Sequence, residues 1–403
     1  MGDRQPVALV RCDSYNMAVV EAALARGLEQ LGGMEAFISA GQRVVLKPNL
    51  VRAMDPDQAA TTHPALVAAV IRAVRAVGAE AIVVDSPGGP FTPGLLKSLY
   101  RKTGMDWAVR EAAGALNLDV ETTQVPVEDG QALYRIDMVK VVAEADAIIN
   151  LPKLKTHNLT GLTLAVKNLF GVVPGTLKIA YHGKMQETDR FSQGMLDILS
   201  CTRPVLNIMD AVIGMEGNGP SGGDPREMDA LILSPDALAV DVVAASLVGL
   251  DPVEVSTTAA GMRRGWTTGR LEDIDLCGDA VESLRVEGFQ QGTNLSFDPG
   301  LLPGFLRQLL PRRDADEEAR GRVRSWSSRW LTTQLLAYPE AGDKCTGCGY
   351  CVRNCPVEAI TIEDGRAKMD LRRCIRCYCC HELCPELAVE LRRPWLARVL
   401  GRS

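Results

Sequence analysis

Two cysteine runs of identical spacing constrain this chain more than any other feature of its 403 residues. The first is Cys345-x2-Cys348-x2-Cys351-x3-Cys355-Pro356, and the second is Cys374-x2-Cys377-x2-Cys380-x3-Cys384-Pro385. Three thiolates on a tight loop wrap one face of a cubane, and the fourth, followed by proline, turns away to ligate a second cluster. The pattern therefore predicts one [4Fe-4S] centre on Cys345, Cys348, Cys351 and Cys384, and another on Cys374, Cys377, Cys380 and Cys355. Structural zinc uses C-x2-C pairs and needs neither a third cysteine nor the x3-Cys-Pro ending. The stretches Ala359–Ile362 and Ala388–Leu391 follow each Cys-Pro and read as short strands, so the segment is a pseudo-twofold repeat of about 29 residues.

Nine of the 12 cysteines lie in this segment. A secreted disulfide scaffold is short and carries a leader, whereas Met1–Cys12 has neither an apolar leader region nor a twin arginine. A cytoplasmic location is expected. Cys379 beside Cys380 reads as a packed free thiol, and Cys12, Cys201 and Cys277 read as core residues. The net charge of −6 argues against nucleic-acid binding through bulk charge, and no apolar run is long enough to span a bilayer.

Before the cysteines, short apolar runs alternate with helical patterns. Val7–Arg11, Arg43–Leu46, Ala81–Val84, Ala147–Leu151, Val205–Met209 and Asp229–Leu233 read as strands. Met17–Leu31, His63–Val77, Leu95–Gly104, Trp107–Ala113, Leu162–Phe170 and Ala237–Val248 read as helices. Strands apolar throughout and alternating with helices predict an α/β fold with a mainly parallel sheet over residues 1–300. Residues 301–338 read as a linker containing the charge run Arg312–Arg324 and an amphipathic helix Ser325–Leu336 with Trp326 and Trp330. Residues 339–391 form the α+β ferredoxin-like iron–sulfur domain. Residues 392–403 are a basic tail with Trp395, read as a solvated end rather than a membrane anchor.

In an open parallel sheet, ligands bind beyond the carboxyl ends of the strands. The residues placed there are Lys47 and Asn49, then His63, Asp85, Asn150, Lys153, Lys155, His157 and Asp210, with Lys167 and Asn168 on the next helix. Lysine directly after a buried strand is unusual, because burying an ammonium without a partner is costly. Lys47, Lys153, Lys155 and Lys167 are candidates for binding a small anion such as a phosphate or carboxylate, with the asparagines and aspartates as further ligand contacts. His157 and His63 are candidate proton carriers, with Lys155 beside them. The text Gly217-Asn218-Gly219-Pro220-Ser221-Gly222 matches G-x-G-x-x-G, but no helix follows it, so a dinucleotide site is not expected.

The texts Lys47-Pro48-Asn49, Asn150–His157, Leu164–Gly171 and Met215–Gly223, in that order, resemble the DUF362 family. Members of that family are often fused to a C-terminal two-cluster ferredoxin domain. The resemblance implies an α/β fold and an iron–sulfur protein, and leaves the reaction open.

Together these features lead to an iron–sulfur oxidoreductase that passes low-potential electrons through two [4Fe-4S] clusters to an anionic ligand at the strand ends. Its expected partners are a redox protein and that small ligand, and any second cofactor is unknown. An electron-transfer protein whose α/β domain only binds or docks is the alternative. A non-redox enzyme with structural clusters is a third reading.

Overall fold

The computed structural model describes residues 6–292 and 336–394. The expected linker helix, both its tryptophans, the charge run and most of the basic tail lie outside the described residues. The chain divides into two compact units, Met1–Gln290 and Gln291–Ser403.

In the first unit, the strands β1 (Pro6–Arg11), β2 (Arg43–Pro48), β3 (Glu80–Val83) and β4 (Ala115–Leu116) come first. A separate hairpin of β5 (Thr122–Pro126) and β6 (Arg135–Val139) follows. The chain then forms β7 (Ala147–Leu151), β8 (Lys153–His157), β9 (Gly161–Thr163), β10 (Leu206–Glu216), β11 (Asp224–Ser234) and β12 (Asp275–Gly278). Ten strands form one sheet in the order β12-β1-β11-β10-β7-β2-β3-β4, with β8 paired to β10 and β9. Pairing is parallel from β10 through β7, β2 and β3 to β4. It is antiparallel where β11 meets β10 and β1, and between β10 and β11 a connection as short as 217–223 can only reverse the chain. The sheet is thus mainly parallel, as its apolar strands imply.

Helices cover the sheet. Pro64–Ala76 starts on His63, whose ring nitrogen accepts from the Ala65 N–H, with Pro64 at the first helical position, where no N–H is needed. Ala237–Leu247 is apolar apart from Asp241 and Ser246 and is buried along its whole length, as a helix with no polar face must be. Its Asp241 carboxylate accepts the Ala165 N–H at 2.6 Å and the Val166 N–H at 3.4 Å. Those are the first amides of a short helix, Ala165–Asn168.

Several elements differ from expectation. The stretch expected as one helix, 162–170, contains β9, the short helix and a 3-10 turn, Leu169–Val172. Residues 153–157, expected as a loop, form β8. Pro152 has no N–H and interrupts the strand, while its carbonyl accepts the Asp210 N–H at 2.9 Å. Asp210 therefore lies inside β10, which outruns β7 and pairs onward with β8. The glycine-rich 217–223 is the β10–β11 connection, followed by a strand rather than a helix. Cys12 is buried, but Cys201 and Cys277 are only half-buried, so they are not full core residues. Among the described residues no helix is long and apolar enough to cross a membrane.

In the second unit, Tyr338–Ala341 pairs with Val389–Arg392, and Ile360–Glu363 with Arg366–Met369, both antiparallel. Two one-turn helices, Tyr350–Arg353 and Cys379–Glu382, each contain the third cysteine of their run, Cys351 and Cys380. The repeat read from the cysteines extends to the backbone. The left-handed residues Gly347, Gly349 and Glu358 recur as Arg376, Tyr378 and Leu387, each pair 29 residues apart. Arg376 and Tyr378 hold a conformation that glycine takes freely and other residues rarely adopt, so the loop shape is imposed in both halves.

Candidate iron–sulfur module and buried strand-end site

The second unit gathers its cysteines closely. Cys355, Cys374, Cys377 and Cys380 line one recess, with Pro356 and Tyr378 in its wall. Cys355 is the member delivered from the first run. Burial raises the Cys351 thiol, and its thiol neighbours Cys384, Cys345 and Cys348 raise it further. Cys384 is the member delivered from the second run. Cys380 is likewise raised by burial, then by Cys377, Cys374, Cys351 and Cys355, so the two groups adjoin.

The donors around these sulfurs suit a cluster. The Ala359 N–H donates to Cys355 Sγ at 3.2 Å, and its repeat mate, the Ala388 N–H, donates to Cys384 Sγ at 3.2 Å. The Ala367 N–H donates to Cys345 Sγ at 3.4 Å. Amides aimed at sulfur stabilise thiolate and raise the reduction potential of a bound cluster. Among the described residues, no three His, Cys, Asp or Glu side chains gather about a single metal ion. The cysteines surround a space rather than a point. Cys379 is buried on the wall of the same recess, its thiol hydrogen-bonded with Cys377.

In the first unit the sequence-selected residues sit at one end of the sheet, and nearly all are buried. Lys47, Asn49, Asp85, Asn150, Lys153, Lys155, His157, Asn168 and Asp210 are buried, while His63 and Lys167 are half-buried. The lysines after the strands are not at a solvent rim. Lys47, 1% exposed, pairs with Asp85 Oδ1 at 2.7 Å and donates to the Pro48 carbonyl at 2.7 Å. The other oxygen of Asp85 accepts the Leu50 N–H at 2.7 Å, and Oδ1 also accepts the Ser86 N–H at 2.9 Å. Gly171 lies against this pair, where a Cβ would collide with both charged groups.

A second pair lies further along. Lys153 Nζ donates to Asp210 Oδ2 at 2.9 Å and to the Tyr15 hydroxyl at 2.8 Å, and that hydroxyl donates to Asp210 Oδ1 at 2.7 Å. Asp210 Oδ2 also accepts the His63 N–H at 2.8 Å. The His63 ring stacks on Tyr15 with centroids 3.6 Å apart. Because His63 Nδ1 accepts the Ala65 N–H, the hydrogen-bond network assigns its proton to Nε2. Burial, and secondarily Lys153, outweigh Asp210 and lower His63 to about 4, so it is neutral near pH 7.

Between the pairs, Lys155 donates to Asn49 Oδ1 at 2.9 Å and to the Ala60 carbonyl. His157 Nδ1 accepts the Leu159 N–H at 3.1 Å. Asn168 donates to the Lys47 carbonyl at 3.0 Å and to Asn150 Oδ1 at 2.8 Å, and Asn150 donates to Asn207 Oδ1 at 2.9 Å. These asparagines lock three strand ends together. The Lys167 ammonium stands 5.1 Å from the Phe170 ring centre and 5.5 Å from that of Phe191.

Two residues of this region were missed in the sequence. Tyr15 follows β1, which runs in the same direction as β10, so the strand-end rule itself would have found it. Lys178 had no such signal. It lies in the first turn of the helix Leu177–Lys184 and donates to the Ser86 and Val173 carbonyls.

Two outcomes follow from this geometry. Breaking a buried ion pair costs about 3–5 kcal/mol. Asp85→Ala should reach that range in urea unfolding, since it strands Lys47 and two amides. Lys47→Met should cost distinctly less, because Asp85 keeps both N–H donors. For His63, the folded value lies below the unfolded one of 6.5. Unfolding therefore takes up a proton, and stability is lost as pH falls from about 6.5 toward 4. His63→Asn keeps a side-chain cap and should remove about 1–3 kcal/mol of that acid loss, read as a flatter dependence of unfolding free energy on pH.

Comparison with known proteins places these features in a family. A model described as a domain of unknown function, DUF362, matches residues 44–246, and a 4Fe-4S dicluster domain matches residues 344–388. The thylakoid-associated protein sll1697 of Synechocystis sp. is 36% identical over 269 residues, 64% of this chain and 79% of that protein. A component of an ion-translocating oxidoreductase complex from Methanosarcina acetivorans is 40% identical over 48 residues, 12% of this chain. The match spans only 18% of that component. Among solved structures, the lactate racemase apoprotein of Thermoanaerobacterium thermosaccharolyticum aligns with a TM-score of 0.36 at 13% identity, over 58% of this chain and 54% of that one. A Thermotoga maritima protein aligns with a TM-score of 0.35 at 12% identity, over 64% of this chain and 60% of that one. With the domain model spanning its buried strand-end site and a relative of this identity and coverage, the chain belongs to the DUF362 family and carries a 4Fe-4S dicluster domain.

Proposed function

We propose that the protein is an iron–sulfur oxidoreductase that carries two [4Fe-4S] clusters and delivers low-potential electrons to an anionic ligand at the strand ends of its α/β unit. The observation that carries this reading is the exchange of fourth cysteines: Cys355 of the first run lines the recess of Cys374, Cys377 and Cys380. Bound clusters supply one-electron chemistry. The similarity of the cysteine segment to part of an oxidoreductase complex supports a redox role.

A cluster of lysines supports the anionic ligand. Lys47 and Lys167 both act as positive charges on Lys178, and Asp85 acts on it as a negative one. Lys167 and Lys178 are both half-buried and are the candidate contacts for that anion. Asn49, Asn150, Asn168, Lys153 and Asp210 hold the strand ends in place beneath it. His63, with its proton on Nε2 and its ring half-buried, is the candidate proton donor. His157 and Lys155 lie deeper, and their part is to fix the loops that frame the ligand. The redox partner is a protein donor or acceptor, and the proposed location is the cytoplasm.

A second reading has its own support. Lys153–Asp210 and Lys47–Asp85 are internally satisfied pairs, which suits an electron carrier whose α/β unit binds or docks without chemistry. Phosphate separates the two. Under the enzyme reading, inorganic phosphate raises the melting temperature of the holoprotein, and Lys167→Ala abolishes the rise. An identical response in the variant removes the anion site.

The cluster assignment is tested by iron content and EPR of anaerobically purified protein. About eight iron per chain are expected, and Cys355→Ser should remove about half. Adding Cys374→Ser should remove no more, because both serve one cluster, whereas adding Cys345→Ser should remove the remainder. The reverse pattern would mean that each run holds its own cluster.

A further inference from the structure

We propose that the two clusters are used unequally: the loop 346–350 leaves the cluster of Cys345, Cys348, Cys351 and Cys384 open to an external one-electron redox partner, and the matching loop 375–379 seals the cluster of Cys374, Cys377, Cys380 and Cys355. The inference rests on the two-cluster reading above, and it names the surface at which the redox partner exchanges electrons.

The repeat allows a comparison position by position. Each of the five residues 346–350 is more exposed than its mate 29 positions on, in 375–379. Cys348 is exposed, whereas none of the four cysteines of the second group is. The two loops share a backbone, with left-handed residues at Gly347 and Arg376 and again at Gly349 and Tyr378. The side chains differ. Arg376 is 8% exposed and Tyr378 2%. The Tyr378 hydroxyl donates to the Ala337 carbonyl at 2.9 Å, which fixes the ring in the wall of the recess. Val357, Ile360, Met369 and Ile375 add apolar surface to that wall.

Packing does not account for both glycines of the first loop. A Cβ at Gly347 would strike the Gly365 carbonyl, so that position has no room for a side chain. A Cβ at Gly349 would meet only the far end of Arg353, a flexible group. Tyr378 holds the same left-handed conformation in the second half, at the backbone cost that a non-glycine residue carries there. Glycine at 349 therefore leaves Cys348 without the cover that Tyr378 gives the second loop. Arg353 is drawn to one side, donating to the Cys348 carbonyl at 3.3 Å with its guanidinium 5.8 Å from the Tyr350 ring centre. Electron transfer weakens steeply with distance, and glycine lets another surface approach the backbone closely. Bare backbone beside an exposed ligating cysteine is thus where a partner's redox centre comes nearest to a cluster.

The step moves a single electron, and no bond forms or breaks. The partner is oxidised by one electron as the open cluster is reduced. Passage to the adjoining cluster reduces that one and restores the first, and the reverse order serves an acceptor.

The test uses the anaerobically purified holoprotein with europium(II)–DTPA as the one-electron donor, and follows cluster absorbance by stopped flow. Gly349→Tyr copies the cover of the second loop. It should keep about eight iron per chain and slow reduction at least about threefold. An unchanged rate at full iron content overturns the inference. A second measurement needs no variant at Gly349. Cys355→Ser keeps only the first cluster and Cys345→Ser only the second, and dysprosium(III)–EDTA speeds the EPR relaxation of a cluster that solvent can approach. The rise in half-saturation power should be at least about threefold larger in Cys355→Ser, and an equal or reversed effect overturns the inference. Iron content separates this result from the cluster assignment. If each single variant loses about half the iron but the two relax alike, the assignment stands and the port fails. If iron losses show that each run holds its own cluster, the exchange of fourth cysteines fails, and slower reduction of Gly349→Tyr still places the port at Cys348.

Discussion

The buried ammonium groups at one end of the sheet set the terms for everything around them. Moving a charged lysine out of water is affordable only with a partner. Lys47 and Lys153 each have an aspartate, and each aspartate is itself fixed by backbone amides. Those amides belong to the connections that leave the strands. The ion pairs thus do more than neutralise charge, for they decide where the loops after β2 and β3 run. Gly171 is the clearest consequence, since any side chain there would enter the Lys47–Asp85 pair. The asparagine chain from Asn207 through Asn150 to Asn168 does the same work between strands with neutral groups.

The cysteine module meets a similar demand by a different route. Thiolates also need compensation, and here it comes from backbone amides rather than from side-chain charge. The amides of Ala359 and Ala388 take equivalent places in the two halves of the repeat. That placement depends on left-handed residues at fixed positions before each short helix. Where the first half uses glycine, the second uses Arg376 and Tyr378, and accepts the backbone strain. The loop conformation, and not the identity of the residue, is what both halves preserve.

Much of this was legible in the sequence, and the limits are physical. The cysteine spacing carries its own geometry, so the 4Fe-4S dicluster domain followed from counting. Apolar runs located β1, β2, β3 and β7 within a residue or two, because buried parallel strands have little choice of composition. The strand ends drew attention to the lysines, but not to their burial. A lysine beside a solvent rim and one beside a buried aspartate 38 residues away read alike, and only the fold brings Lys47 to Asp85. Residues 153–157 read as a loop because their polar side chains mask a strand sealed on both sides. Helix 162–170 failed because Gly161 and the Asp241 carboxylate, far along the chain, fix where the turn can begin.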